Sequence, residues 1–340
     1  MRIFVTGGAG FIGSNFIRYV LSHTDDVRIT NFDKLTYAGN PANLADLADD
    51  ARYDFVKGDI CDGDHVAEAI AGHDAVVNFA AESHVDRSIT GGAEFMVANV
   101  VGAQTIFDVA RKAEIPKFLH ISTDEVYGSV DEPDSFVEGD ALEPNSPYSV
   151  SKAAADLLAR AYRVTYDYPV TVTRTANNFG PYHFPEKVIP LFVTNLIDGQ
   201  QVPLYGEGKN VRDWTYVIDN AAAQWLVLTE GTPGEVYNVG AGNEITNAEL
   251  TYAILERFGL TGDEAEERIR RVQDRPGHDL RYSVDTTKIR ALGWEPAHSF
   301  DEALDATIEW YRANEGWWRP LKEGGASDRR GLVSADSTRA

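Results

Sequence analysis

Short runs of apolar and β-branched residues alternate, along the first half of the chain, with longer stretches in which apolar residues recur at helical spacing. The strand-like runs lie at 2–6, 28–33, 53–58, 74–79, 117–122 and 170–175, and the helix-like stretches lie near 12–21, 41–48, 62–71, 93–113 and 149–166. This alternation predicts an α/β fold with a doubly wound parallel sheet that is covered on both faces. Because the crossovers are right-handed, every strand ends at the same edge, where ligands of such sheets bind.

The pattern changes beyond residue 178, where prolines divide the chain into short segments. We predict a first domain over residues 1–178 and a smaller C-terminal lobe over most of 179–321. A helix-like stretch followed by a strand-like run suggests that residues 211–240 rejoin the first domain, so that the two lobes interleave. Residues 322–340 lack apolar periodicity, and we expect them to form a poorly ordered polar tail.

The chain has 340 residues and a formal net charge of -22. This charge would repel nucleic acid and anionic lipid, and no apolar run reaches the roughly 20 residues that span a bilayer, so neither is an expected partner. A strand-like run begins at Arg2, so we expect no signal peptide and a cytoplasmic location. Only nine of the 31 basic residues are lysine and the acids are scattered, which suggests a surface adapted to high salt or an ordinary acidic protein.

Cys61 is the single cysteine of the sequence, so no intramolecular disulfide and no thiolate metal cage can form. No spacing of His, Cys and carboxylate residues suggests a metal site either.

A glycine-rich run, Gly7 to Gly13, follows the first strand-like run and opens the first helix. Without β-carbons at Gly7, Gly10 and Gly13, backbone amides can approach a pyrophosphate at the positive end of that helix, which predicts a Rossmann-type dinucleotide site. Asp33 lies at the end of the second strand, where its carboxylate would bind the adenosine ribose hydroxyls and repel a 2′-phosphate. The cofactor is therefore predicted to be NAD.

Other residues at this edge are expected to complete the cofactor site. Lys34 beside Asp33 leaves NADP open, and Asp59 either contacts the adenine or faces solvent in a turn. The further cofactor contacts that we expect are Phe11, Ile12, Ile60, Ala80, Ala81, Asn99 and Ser122.

Two motifs, Ser122-Thr123-Asp124-Glu125 and Tyr148-x-x-x-Lys152, supply redox and acid/base chemistry together. Tyr148 and Lys152 share one helix face, where the cation and an oxidised nicotinamide would lower the phenol pKa from about 10 and make Tyr148 a general base. Thr123 suits oxidation of a carbinol, whereas Asp124 and Glu125 add a proton donor and acceptor that alcohol oxidation does not need. This additional pair of carboxyl groups suggests elimination of water. Their adjacency alone does not say which of the two carboxyls stays protonated.

These motifs resemble those of the extended short-chain dehydrogenases/reductases of the NAD-dependent epimerase/dehydratase family, and within it the dTDP-glucose 4,6-dehydratases. The similarity runs from Met1 to about residue 320. Beyond the glycine run it rests on AAESHVDRS from Ala80, TDEVYG from Thr123, NNFGPY from Asn177, PEK from Pro185, RDW from Arg212 and DRPGHD from Asp274. Related epimerases and decarboxylases resemble the chain in the glycine run and the Tyr-Lys pair but usually lack the Thr-Asp-Glu run.

The resemblance implies an NAD-dependent hydro-lyase of deoxysugar biosynthesis that converts dTDP-glucose to dTDP-4-keto-6-deoxyglucose and water. Tyr148, with Thr123 and Lys152, would take the proton of the sugar 4-hydroxyl as C4 is oxidised. Glu125 would then remove the C5 proton, Asp124 would protonate the departing 6-hydroxyl, and reduction at C6 would restore NAD.

The resemblance also implies a set of ligand contacts. Asn178 would orient the nicotinamide carboxamide, and Arg212 with the segment from Arg275 to His278 would bind the diphosphate. The substrate-binding residues that we expect are Ser83, His84, Thr123, Asn177, Glu186, Lys187, Arg212, Asn247, Arg275 and His278.

Several alternatives stay open. The chain could be a UDP-sugar 4-epimerase or a UDP-glucuronate decarboxylase, or a regulatory protein that senses NAD without turnover, and the sequence does not separate thymidine from uridine or cytidine carriers. The helices near 93–113 and 149–166 are expected to form a homodimer interface, as they do in the family, unless their apolar faces are internal.

Overall fold

The structure, a computed structural model, describes residues 1–274 and 277–333. Its strands are β1 (Arg2–Thr6), β2 (Arg28–Asp33), β3 (Tyr53–Lys57), β4 (Ala75–Asn78), β5 (Lys117–Thr123), β6 (Val170–Thr175), β7 (Asn177–Phe179), β8 (Val202–Tyr205), β9 (Val211–Tyr216), β10 (Val236–Val239), β11 (Glu244–Thr246) and β12 (Ile269–Val272).

Its α-helices are α1 (Phe11–His23), α2 (Gly63–Ala69), α3 (Val85–Thr90), α4 (Gly92–Met96), α5 (Ala103–Lys112), α6 (Pro147–Tyr166), α7 (Val188–Ile197), α8 (Val217–Glu230), α9 (Asn247–Arg257), α10 (Gly262–Arg268), α11 (Thr287–Ala291), α12 (Phe300–Ala313) and α13 (Glu315–Val333). Two 3₁₀ helices span Pro41–Leu47 and Asp124–Tyr127, and a π-helical turn spans Val97–Gly102.

The main sheet has, within the described ranges, seven strands in the order β10-β6-β5-β4-β1-β2-β3, and all neighbouring strands run parallel. Every residue of β4 and β6 is buried, as expected for strands covered by helices on both faces. The six strands expected from the sequence all form within one residue of their predicted ends. The predicted Rossmann-type α/β fold is confirmed.

The helix expected over 93–113 is interrupted. It consists of α4, the π-helical turn and α5, so the helical ladder widens for one turn in its middle. Within that turn the side chain of Asn99 bonds the backbone of Glu82 and the hydroxyl of Ser151. These tertiary bonds accompany the local change, as at many π-bulges, and spacing alone does not predict them.

A smaller lobe is built on two further sheets, β11-β9-β7 and β12-β8. Its core includes the buried side chains of Phe179, Trp214, Tyr311 and Trp318. The chain returns from this lobe to the main sheet through α8, which packs on α1, and β10, which pairs with β6. Among the described residues, none of the helices is both long enough and apolar enough to cross a membrane.

The C-terminal segment differs from the sequence expectation. Helix α13 continues to Val333, where we expected a tail without regular structure from residue 322. Trp318 is fully buried and Lys322 forms an ion pair with Asp198, so the first turns of this helix are anchored. Extending an anchored helix is easier than nucleating one, which explains the added turns. Residues 334–340 lie outside the described part of the chain.

Candidate active site

A cavity of about 1010 Å³ opens at the carboxyl edge of the main sheet, under residues 182–188 of the smaller lobe. The sequence-predicted residues that line it are Gly7, Gly10, Phe11, Ile12, Gly13, Asp33, Lys34, Asp59, Ile60, Ala80, Ala81, Ser83, Ser122, Thr123, Asp124, Glu125, Tyr148, Lys152, Asn177, Asn178, Glu186 and Lys187. The ends of β1, β2, β4, β5 and β6 meet here because parallel strands end at one edge. The cavity is large enough for a sizeable ligand.

The glycine run forms one end of this cavity. Gly7 has a positive φ of 69°, and a β-carbon on it would lie 2.6 Å from the Ala80 nitrogen. A β-carbon on Gly13 would lie 2.4 Å from the Gly7 carbonyl oxygen, so neither position accepts a larger residue without a shift. Gly10 precedes α1 without a side-chain cap, and the first turn of α1 carries no acidic residue. The free amides at this helix end fit the pyrophosphate of a dinucleotide.

Asp33 lies beside the glycine run at the end of β2. Its carboxylate accepts hydrogen bonds from the Ala9 amide at 2.9 Å and from the Leu35 amide at 2.8 Å, which fixes its orientation. Lys34 forms an ion pair with Asp59 at 2.7 Å. Because Asp59 already neutralises the Lys34 cation, the arrangement fits NAD better than a cofactor with a 2′-phosphate.

Two polar side chains at the opposite end fit the nicotinamide half. The Asn178 amide donates to the carbonyl of Ala176 at 2.9 Å, and its oxygen, like the Ser122 hydroxyl, is buried without a partner among the described residues. Buried polar atoms of this kind usually have partners, so a ligand is the natural one. Asn99 lies behind the wall and holds the Glu82 backbone at 2.8 and 2.9 Å. A direct contact of Asn99 with the cofactor stays a prediction.

The 3₁₀ helix Asp124–Tyr127 carries the carboxyl pair at the end of β5. Thr123 caps it by accepting from the Glu125 amide at 3.3 Å, and its hydroxyl donates to Asp124 at 3.1 Å. Burial, reinforced by the negative charge of Glu125, raises the pKa of Asp124 to about 8. At neutral pH, Asp124 therefore holds a proton that it can donate, which the sequence alone left undecided.

The Tyr148–Lys152 pair differs from its expectation. The Lys152 ammonium donates a hydrogen bond of 2.6 Å to the carbonyl of Ile121, and burial lowers its pKa to about 8. Burial and the nearby Glu125 carboxylate raise the pKa of Tyr148 above its ordinary value. The expected lowering of that pKa is therefore wrong for the protein's own groups, because the spacing argument left out desolvation.

The residues expected near the sugar or the nucleotide form a second group. The Glu186 side chain is 6% exposed and accepts from the Arg87 guanidinium at 3.1 Å, and the Lys187 ammonium donates to the Ser83 carbonyl at 3.0 Å. His84 caps α3, and its Nε2 lies 3.7 Å from the Glu186 carboxylate. Burial and the Lys187 cation lower the pKa of His84 to about 4, so its ring is neutral at pH 7. Segment 183–187 thus contacts the first domain at several points.

The residues expected near the diphosphate lie elsewhere. Arg212 is buried outside the cavity wall, where its guanidinium donates to the carbonyls of Val211 and Asp279 and stacks on Tyr282 at 4.0 Å. His278 bonds Asp274 at 2.7 Å, and Asn247 begins α9; neither lines the cavity. Arg275 lies outside the described residues. Contact of these four with substrate stays a prediction.

Sequence reasoning missed several residues of the cavity. Tyr37 stacks on the Arg87 guanidinium at 3.8 Å, and both line the cavity together with Glu82, His183 and Trp214. His183 stacks on Phe11 at 4.0 Å and so covers the glycine run from the smaller lobe. All except Tyr37 lie within or beside the motifs quoted above, and Tyr37 follows the end of β2, where a search for ligand contacts could have included it.

In the described ranges, no group of three or more His, Cys, Asp or Glu side chains could hold a metal ion. The cavity instead combines a dinucleotide cradle with a buried acid, a tyrosine and a lysine.

Comparison with known proteins gives the family. The family model described as GDP-mannose 4,6 dehydratase matches residues 4–307. The chain is 53% identical over 327 residues to a dTDP-glucose 4,6-dehydratase of Streptomyces niveus, covering 95% of this chain and 96% of that protein. It is 52% identical over 315 residues to the low-salt glycan biosynthesis protein Agl12 of Haloferax volcanii, covering 93% of this chain and 100% of that protein.

Among solved structures, the chain is similar to DesIV, a dTDP-glucose 4,6-dehydratase from Streptomyces venezuelae with NAD and TYD bound. The TM-score is 0.91 at 52% identity, with 94% of this chain and 100% of that chain covered. Both the sequence and the fold are thus shared over nearly the whole length. The chain therefore belongs to the GDP-mannose 4,6-dehydratase family, and within it to the group of the dTDP-glucose 4,6-dehydratases.

Proposed function

We propose that this protein is an NAD-dependent dTDP-glucose 4,6-dehydratase that converts dTDP-glucose to dTDP-4-keto-6-deoxyglucose and water. The observation that carries the proposal is a buried Asp124 beside Glu125 in the same cavity as Tyr148 and the glycine run, where burial raises the pKa of Asp124 to about 8. When bound, NAD supplies the oxidation at C4 of the sugar and the later reduction at C6. The residues proposed to hold it are the glycine run, Asp33 and Asn178.

Tyr148 is proposed to take the proton of the 4-hydroxyl, with Thr123 sharing the hydrogen bond. Its pKa is raised by burial, so the proton transfer needs positive charge near the phenol. Lys152 is the protein's own cation at this place, one helical turn away, and would also hold the ribose.

The elimination step uses the carboxyl pair. A ketone at C4 acidifies the C5 hydrogen, which Glu125 is proposed to remove as general base. Asp124 then donates its proton to the departing 6-hydroxyl, so that water leaves instead of hydroxide. The two neighbouring carboxyls can play opposite roles because burial and the charge of Glu125 keep Asp124 protonated.

The relatives favour this activity over the alternatives. The similar proteins from Streptomyces niveus and Streptomyces venezuelae are both named dTDP-glucose 4,6-dehydratase. A 4-epimerase or a decarboxylase needs no proton donor at C6, and a sensor without turnover needs no Thr123, Tyr148 and Lys152 set. The thymidine carrier is proposed from the names of those relatives.

Incubation with dTDP-glucose in deuterium oxide tests the proposal. We expect a 4-keto-6-deoxy product that carries solvent deuterium at C5. An epimerised sugar or an unchanged substrate would each contradict it. Parallel assays of UDP-glucose and CDP-glucose measure the preference for the carrier.

We further propose a homodimer that acts in the cytoplasm. The exposed apolar residues Val97 and Val101 of the π-helical turn, and Val150, Leu157 and Val164 of α6, support an interface on these helices. Sedimentation of the purified protein would test the dimer.

A further inference from the structure

Lys152 depends on its surroundings to stay charged. The residue is 4% exposed, and its ammonium donates to the Ile121 carbonyl, a neutral acceptor. Burying a cation with only neutral partners is unfavourable, and the pKa of about 8 reflects this cost. A negatively charged side chain close to Lys152 would therefore favour the charged form that its role beside Tyr148 requires.

Asp156 lies one turn further along α6, on the face that carries Lys152. It is 5% exposed, and its Oδ2 accepts from Nε of Arg174 at 2.7 Å. Its Oδ1 is buried and has no hydrogen-bond partner within the described parts of the chain. A pair that served stability alone would gain from a bidentate contact, which this pair lacks. The Asp156 carboxylate, one helical turn from Lys152, thus has one oxygen to which no group of the described residues donates.

Arg174 uses a second guanidinium nitrogen elsewhere. Its Nη1 donates to the Tyr127 hydroxyl at 2.7 Å, and that hydroxyl donates to Asn238 at 2.8 Å. Tyr127 belongs to the 3₁₀ helix that carries Asp124 and Glu125. The Asp156–Arg174 pair therefore joins the helix of Tyr148 and Lys152 to the turn of the carboxyl pair.

The other titratable groups around the Tyr148–Lys152 pair do not replace this charge. His120 of β5 is neutral, because burial and Lys152 lower its pKa well below its usual value. Asp124 of the 3₁₀ helix is protonated and carries no charge at pH 7, while the Glu125 carboxylate raises the pKa of Tyr148. Arg174 of β6 is itself a cation. Only Asp156 opposes the lowering of the Lys152 pKa among the groups identified.

We propose that Asp156 is a positioning residue that keeps Lys152 cationic at working pH and is itself held in place by Arg174. This rests on the proposed function, because it gives a task to Lys152 in the oxidation step. Neither Asp156 nor Arg174 lines the cavity, so both act through other residues.

The test compares Asp156→Asn with the unchanged enzyme in its NAD-loaded form. The rate of single-turnover oxidation of dTDP-glucose is measured as a function of pH. We expect the alkaline limb of this pH–rate profile to move to a pH lower by about one to two units, as removal of a nearby opposite charge predicts. Asp156→Glu should return the limb to its original position. A loss of rate that is equal at every pH, with an unmoved limb, would overturn the proposal.

Asp219→Asn is the matched control. Asp219 is also buried and bonds His298 at 2.8 Å, but it lies in α8, outside the cavity wall. This variant should lower stability and leave the limb unchanged. If Asp156→Asn does not fold, Asp156→Asn with Arg174→Gln removes both members of the buried pair, and the limb should still move down, because Asp156 shares the helix of Lys152 whereas Arg174 lies on β6.

A titration of the Lys152 side chain by nuclear magnetic resonance separates this proposal from the function itself. The Lys152→Met variant identifies its signal among the nine lysines. We expect the pKa of Lys152 to fall in Asp156→Asn even without turnover. An unchanged pKa refutes the proposal and leaves the dehydratase assignment standing, whereas absence of any reaction with dTDP-glucose refutes that assignment alone.

Discussion

Replacing Asp124 by Asn should separate the two halves of the proposed reaction. The variant keeps the size of the side chain and removes the proton that the 6-hydroxyl needs. With the pKa of Asp124 at about 8, roughly ten molecules carry the proton for each ionised one at pH 7, whereas an ordinary Asp would carry it in about one molecule per thousand. General acid catalysis contributes about 10² to 10⁴-fold, and the elimination step should slow by that factor.

Stopped-flow absorbance of reduced nicotinamide measures this effect. In the unchanged enzyme, the signal should rise and decay within one turnover, and in Asp124→Asn it should rise at nearly the normal rate and persist. Because Glu125 remains, the variant should still exchange the C5 hydrogen with solvent deuterium. Glu125→Gln should also stop after oxidation but without this exchange. Equal loss of both half-reactions in a folded Asp124→Asn would refute the role of Asp124.

The same variant makes a prediction about stability. Between about pH 4 and pH 8 the unfolded chain releases the Asp124 proton and the folded protein retains it, so this group lowers stability as pH rises through that window. At pH 7 the effect is about 2–4 kcal/mol, and Asp124→Asn, which does not titrate, should be more stable than the unchanged protein by up to that amount. Urea unfolding at pH 5 and pH 8 should show a gain that is larger at pH 8. A gain independent of pH would contradict the raised pKa.

Three further predictions concern the cofactor and the surface. Arg87→Gln removes the contacts with Glu186 and Tyr37, which join segment 183–187 to the first domain beside the cavity. Bound NAD should therefore dissociate about tenfold faster in dilution experiments. Arg163→Gln loses only a surface pair with Glu235 and should leave the dissociation rate of NAD unchanged. Gly13→Ala places a β-carbon 2.4 Å from the Gly7 carbonyl and should abolish NAD binding in calorimetry, whereas Gly316→Ala meets open space and should leave it intact. If the acidic surface reflects adaptation to salt, activity and melting temperature should fall together in low-salt buffer, and full activity there would reject that hypothesis.

Local sequence determined much of the framework. The strands and the glycine run were readable because strand alternation, missing β-carbons and the position of Asp33 are local features with fixed geometric consequences. The Thr123-Asp124-Glu125 run could be assigned to the ligand edge for the same reason, since it directly follows a strand.

Only the tertiary structure decided the state of each group. The pKa of Asp124 is raised because the surrounding elements remove water from its carboxyl beside Glu125, and the buried ammonium of Lys152 bonds the carbonyl of Ile121, 31 positions away. Arg212 bonds carbonyls behind the cavity, and Arg87 meets Glu186 across 99 positions of sequence. Spacing along a strand or helix specifies which residues share a face, but desolvation and long-range contacts depend on what packs against that face.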